Sequence, residues 1–198
     1  MKKQSAARPI EFFFDVGSPA SYLAQMQMPH LMDATHSTII YRPMLLGGVF
    51  KATGNPPPPT VKGHYMRHDL ERCARRLEIP LRINPHFPVN TLLMMRAATA
   101  AQDEDMLSAY LGPVYRGMWV DGLAMGEREV LLGVLKAAGL NGPRLLERAE
   151  EPAIKERLKQ TTEEAVARGV FGAPTFFVGD EMFWGQDRLE QVIEAARD

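Results

Sequence analysis

Residues 10–24 read I-E-F-F-F-D-V-G-S-P-A-S-Y-L-A, and the break inside that stretch decides the fold. The aromatic run at its start has the pattern of a short buried strand. Gly17 interrupts the run, and Ser18-Pro19 opens a helical pattern. Serine is a preferred N-cap, and proline suits the first helical position because its missing N–H would be unpaired there anyway. A serine hydroxyl thus stands at the tip of a strand-to-helix turn, in the positive field of a helix N-terminus. Two readings follow from the stretch alone. Ser18 caps a helix, or it holds an anion, a phosphate or a thiolate.

The 198 residues are 45% hydrophobic and 24% charged, with a formal net charge of −1. These are ordinary values for a globular protein. A chain of this size buries about 70% of the surface it exposes when unfolded, so its core needs neither metal nor disulfide. Interspersed charges of both signs argue against a nucleic-acid or membrane-surface role. The single cysteine, Cys73, excludes an intrachain disulfide and a C-x-x-C redox pair. No apolar signal segment precedes the first strand, and no stretch reaches the length of a membrane span. The expected location is the cytoplasm.

Working outward, a strand is expected over 10–16, a helix over 19–32 kinked at Pro29, and a second strand over 38–43. Together these make a βαβ unit. An apolar segment over 44–52 predicts a short helix, and the run Pro56 to Pro59 breaks regular structure before a helical insertion. There Met66, Leu70, Cys73 and Leu77 recur at intervals of four, three and four, which predicts an inward helical face and a structural thiol. Further helices are expected over 91–101, capped by Asn90 or Thr91, over 106–119 with Gly112-Pro113 bending or splitting it, over 127–138 and over 143–149. A long helix over 152–168 stops at Gly169. Strands over 175–178 and 182–184 form a hairpin, and a last helix spans 188–196. This order predicts an α/β protein with a thioredoxin-like fold and an inserted all-helical domain. Residues 8–60 and 152–198 form the discontinuous thioredoxin-like domain, and 61–151 form the insertion.

Three segments converge in such a fold. Besides Ser18, Ala173-Pro174 precedes the third strand, where a cis X-Pro bond would present the alanine's backbone N–H and C=O beside the helix end. Gln186-Asp187 lies at another helix start, where an amide and a carboxylate suit an α-amino acid group; a simple helix cap explains them equally. His64 and His68 are four apart on a helix but lack a third ligand, so no metal is expected. Trp119 and Trp184 read as core or pocket wall.

The motifs F-F-D-V-G-S-P-A-S-Y-L-A, F-G-A-P-T-F and M-F-W-G-Q-D-R-L resemble the 2-hydroxychromene-2-carboxylate isomerase family. That family is related to kappa-class glutathione transferases and, further off, to bacterial disulfide-forming thioredoxin-fold proteins. K-A-T-G-N at 51–55, Y-x-x-x-D-L-x-R at 65–72 and F-P-x-N at 87–90 extend the resemblance along nearly the whole chain. It implies a glutathione-dependent isomerase in which Ser18 matches the catalytic serine and hydrogen-bonds the cofactor's sulfur as a thiolate. A free thiol of pKa about 8.5 is only about 3% thiolate at pH 7, and a hydroxyl donor at a helix N-terminus favours the charged form. The resemblance further implies cofactor contacts from Asn55, Ala173, Pro174, Gln186 and Asp187. It places Lys51 and Asn90 near a small aromatic substrate's carboxylate and hydroxyl, although Lys51 is equally explained as a solvated helix residue. Relatives of this kind are often dimers, so a homodimer is the implied assembly, with no nucleic-acid or membrane partner. Two positions depart from the family: Gly17 replaces a usual leucine and Ala20 a frequent aromatic, and both should shrink the wall beside the serine. A kappa-like transferase that conjugates electrophiles, and a non-catalytic binding module using the Ala173-Pro174 edge, are the alternatives.

Overall fold

β1 (Ile10–Phe14) lies inside a four-stranded sheet of order β2-β1-β3-β4. The computed structural model describes residues 7–55 and 60–197, so the run Pro56 to Pro59 lies outside the described residues. β2 (Ile39–Pro43) runs parallel to β1; β3 (Thr175–Val178) is antiparallel to β1, and β4 (Glu181–Trp184) is antiparallel to β3. Side chains alternate across a strand, and β1 buries aromatic side chains on both sides because both sheet faces are covered. Ile10, Phe12 and Phe14 enter the main core, whereas Phe13 joins Met44, Val49, Ala165, Val170 and Phe177 on the opposite face. Phe12 stacks on Phe14 and Phe176 with ring centroids 5.2 and 5.0 Å apart.

The helix expected over 19–32 is two helices, α1 (Pro19–Met26) and α2 (Met28–Thr35), broken at Gln27 rather than kinked at Pro29. Pro29 falls in the first turn of α2, where a missing N–H removes no helical bond. α3 (Leu46–Thr53) follows β2. Then come α4 (Thr60–Arg76), α5 (Leu92–Asp103), α6 (Leu107–Trp119), α7 (Arg128–Ala137) and α8 (Gly142–Arg148). α6 keeps Pro113 inside one helix instead of splitting there, its buried face of Tyr110, Leu111, Val114, Tyr115 and Met118 holding it continuous. The stripe expected on α4 docks only in part. Leu70 and Cys73 pack against the core and Ala74 is buried, but Met66 is exposed, as are Val61 and Tyr65 before it. The residues of α4 that pack on the core thus lie in its C-terminal half. α9 (Pro152–Ala167) returns the chain to the sheet, and α10 (Leu189–Arg197) closes it. One buried cluster runs from Phe12, Phe14 and Phe176 through Leu23 and Leu31 into Met94, Tyr110, Leu131 and Leu145, so the sheet and the helices α5 to α8 share a core. This is the α/β thioredoxin-like arrangement with helices set between α3 and α9.

Candidate active site

The register of the sheet brings three distant segments to one end. Phe13 pairs with Thr175, and Thr175 pairs with Trp184. The residues after β1, those before β3 and those after β4 therefore emerge side by side. Gly185 N–H donates to the Pro174 carbonyl at 3.0 Å, and the Ala173-Pro174 bond is cis. Ser18 is the N-cap of α1, with extended backbone, and its Oγ accepts from Ser21 N–H at 3.1 Å. Its hydroxyl proton goes elsewhere, donated to the Ala173 carbonyl at 2.8 Å. Ser18 is 5% exposed. The cap and the contact with the cis-proline edge belong to the same oxygen.

The remaining sequence-predicted residues divide. Gln186 is buried, whereas Asp187 is exposed enough to pair with Arg188 at 2.8 Å. Asn55 Nδ2 donates to the Phe171 carbonyl at 3.0 Å, tying the end of α3 to the loop that leads into Ala173. Lys51 is exposed on the last turn of α3. Asn90 is exposed, and its Oδ1 accepts from Leu92 N–H at 3.0 Å, which is local helix-start chemistry. Neither Lys51 nor Asn90 is hydrogen-bonded to Ser18, Ala173 or Gln186. Trp184, 46% exposed, packs on Phe171 with centroids 4.9 Å apart and covers Gly172, where a Cβ would lie 2.5 Å from its Nε1. Trp119 is buried.

Gly17 does not thin the wall as its replacement of leucine predicted. An added Cβ would lie 2.5 Å from Thr91 Cγ2, so the threonine methyl occupies that space. Sequence reading also passed over Asp15, which is fully buried beneath the turn. Burial pushes its carboxyl upward, opposed by hydrogen bonds from Gly17 N–H, Leu46 N–H and the Thr91 hydroxyl. A carboxylate closing an aromatic run, F-F-F-D, was the available signal, since such a group must be hydrogen-bonded where it is buried. A groove of about 780 Å³ opens between α3, α5 and α9, lined by Leu45, Gly48, Leu92, Arg96 and Leu158 among others, and contains none of the candidate residues. Among the described residues no group of His, Cys, Asp and Glu is arranged for a metal, and no helix is long and apolar enough to cross a membrane.

Residues 9–196 match the family model of the DSBA-like thioredoxin domain. The chain is 35% identical over 189 residues to a 2-hydroxychromene-2-carboxylate isomerase of Sphingobium xenophagum, covering 92% of this chain and 95% of that one. It is 31% identical to human glutathione S-transferase kappa 1, covering 92% of this chain and 88% of that one. A solved structure of a 2-hydroxychromene-2-carboxylate isomerase superposes with a TM-score of 0.83 at 33% identity, covering 94% of this chain and 93% of that one. With the sheet order, the cis Ala173-Pro174 bond and the Ser18 turn all in place, the chain belongs to the 2-hydroxychromene-2-carboxylate isomerase family of DSBA-like thioredoxin-fold proteins.

Proposed function

We propose that this protein is a glutathione-dependent isomerase of a small aromatic carboxylate of the 2-hydroxychromene-2-carboxylate kind, with Ser18 as the anchor of the glutathione thiolate. The observation that carries the reading is the 2.8 Å bond from Ser18 Oγ to the Ala173 carbonyl. It puts a hydroxyl proton, a helix N-terminus and the backbone of the cis-proline edge at one point. The donor set fits a γ-glutamyl-cysteinyl group. Ala173 offers backbone atoms to the cysteinyl part beside Pro174, while the Gln186 amide and the Asp187 carboxylate suit the α-amino acid end, with Asn55 alongside.

Glutathione would supply a sulfur nucleophile that adds to the conjugated substrate and leaves again, allowing rotation about a former double bond. A serine hydroxyl has one proton to give, and in this conformation Ala173 accepts it. An incoming cysteinyl N–H can replace that proton on the Ala173 carbonyl. Ser18 is then free to turn its O–H toward the sulfur while Ser21 N–H still holds its lone pair. Together with the α1 N-terminus this favours thiolate over thiol at neutral pH. Lys51 and Asn90 would face the acceptor's carboxylate and hydroxyl. The same reading divides the chain into 8–60 with 152–198 and 61–151, and takes a cytoplasmic homodimer as the working form; sedimentation of the purified protein tests the dimer.

Calorimetry with glutathione should show binding, and 2-hydroxychromene-2-carboxylate should isomerise only when glutathione is present. Ser18→Ala should lower kcat by about a hundredfold or more, the scale of one lost charge-stabilising donor, with a smaller change in glutathione affinity. Unchanged turnover in that variant removes the anchor role. Absence of glutathione binding removes the cofactor. Conjugation of chlorodinitrobenzene without isomerisation makes the protein a kappa-like transferase.

A further inference from the structure

The mechanism above does not use Asp15, yet its contacts span the candidate site. The residue is 1% exposed, and both carboxylate oxygens are engaged. Oδ1 accepts from Gly17 N–H at 2.8 Å; Oδ2 accepts from Leu46 N–H at 2.8 Å and from the Thr91 hydroxyl at 3.0 Å. Its backbone carbonyl accepts from Ser18 N–H at 3.0 Å. Three chain segments therefore meet on one side chain: the Ser18 turn, the first residue of α3 and the N-cap of α5. Neither helix is capped by the side chain of its own N-cap residue, Leu45 or Thr91. Asp15 Oδ2 takes the first N–H of α3, and the Thr91 hydroxyl turns to Asp15 instead of capping α5. The next residue is clamped from the same side, since Val16 N–H donates to Met95 Sδ at 3.3 Å and its carbonyl accepts from Trp119 Nε1 at 2.8 Å.

We propose that Asp15 is the positioning residue of this site. It holds the Ser18 turn, the start of α3 and the start of α5 in one arrangement, so that groups binding the sulfur and groups binding the acceptor meet in register. The inference rests on Ser18 as thiolate anchor and on Lys51 and Asn90 as acceptor residues. Lys51 and Asn55 lie on or just after α3, and Asn90 adjoins Thr91. Asp15 lies beneath the turn, its side-chain oxygens taken by Gly17, Leu46 and Thr91. A buried carboxylate is unfavourable unless its oxygens are fully hydrogen-bonded, and here each donor comes from a different segment.

The test separates alignment from mere folding support. Thr91→Val keeps the shape and removes only the hydroxyl arm, whereas Thr91→Ser keeps the hydroxyl. Thr91→Val should lower kcat for acceptor turnover about tenfold, the scale of one buried hydrogen bond, while the glutathione Kd stays within about twofold. Thr91→Ser should return kcat to within about threefold of the wild type. Full kcat in Thr91→Val, or equal losses of kcat and glutathione affinity that Thr91→Ser does not repair, overturns the proposal. A second arm needs no activity. Amide hydrogen exchange at Gly17 and Leu46 should quicken in Thr91→Val and in Asp15→Asn while β3 and β4 amides stay protected. Unchanged exchange at both amides in Thr91→Val overturns the coupling. A wild-type protein that neither binds glutathione nor isomerises overturns the functional reading instead, and the exchange data then decide the Asp15 hub by themselves.

Discussion

An ideal Cβ on Gly17 would lie 2.5 Å from Thr91 Cγ2 and 3.3 Å from Asp15 Oδ1. The absent side chain therefore leaves no hole beside Ser18, because the Thr91 methyl lies in its place. Gly17→Ala should destabilise the protein by about 1–3 kcal/mol, as overpacking of a filled site does. Removing that methyl with Thr91→Ser in the same molecule should recover more than half of the loss. Urea unfolding of the two single variants and the double variant checks this, and simple additivity would show that the two positions do not compete for space. At Ser18 the cap to Ser21 N–H was readable from S-P-A-S, since it is a local bond within one turn. The bond to Ala173 joins residues 155 positions apart and leaves no trace in the local pattern.

Among the elements, the join between α9 and the sheet is built from charge laid over aromatic rings. The Arg168 guanidinium sits 3.7 Å from the centroid of Phe177 and 5.6 Å from that of Phe13. Arg168 Nη1 donates to Glu11 Oε1 at 2.8 Å, and Arg42 lies 3.6 Å from Glu11 Oε2 while also pairing with Glu164. Glu11 and Phe13 share a strand face, so the alternation in I-E-F-F-F places a carboxylate beside the ring it helps to cover. Arg168→Lys keeps the charge but loses the planar stack and the fork, and should lower stability by about 1 kcal/mol. A thermal melt indistinguishable from the wild type would show the stack to be idle. The helical period on α4 was legible too, but not which end of it would dock. Periodicity names a face, and only the neighbours that arrive decide how much of that face is covered.

For the whole molecule, α5, α8 and α9 are linked by a charged cluster. Arg148 reaches Asp103 at 2.6 Å and Glu104 at 2.9 Å, Arg144 reaches Glu104 at 3.0 Å, and Arg157 reaches Asp103 at 2.5 Å. The Arg148 hydrogen bonds hold both carboxyls below their ordinary values. A carboxyl lowered in the folded state stabilises it above the unfolded pKa of about 4, and that contribution disappears as pH falls through the folded value. Asp15 has the opposite sign. Burial raises it, so its contribution is full below the unfolded pKa and is lost as pH rises through the folded value. Arg148→Met should therefore move acid unfolding to higher pH, and about 1 M salt should shrink the difference because the cluster faces solvent. Stability measured by urea across a pH series checks both slopes, and an unmoved acid transition would mean the cluster is fully screened.

By itself the sequence determined the order and type of most elements, through cues confined to a few neighbouring residues, but not the break at Gln27 that divides α1 from α2. Ser18-Pro19 began α1, Gly169 stopped α9, and Gly179-Asp180 turned the hairpin of β3 and β4, although β1 stops at Phe14, short of the 10–16 expected. It also carried the motifs that place the chain in its family. The tertiary structure alone decided what each site residue does with its polar atoms. Ala173 takes the Ser18 proton, Thr91 turns from capping to bond Asp15, and Met95 and Trp119 clamp Val16. The reason is physical. Caps, turns and periodic faces are short-range and write themselves into adjacent side chains, whereas these bonds bridge 76 to 155 positions and several end on backbone groups that every residue carries alike.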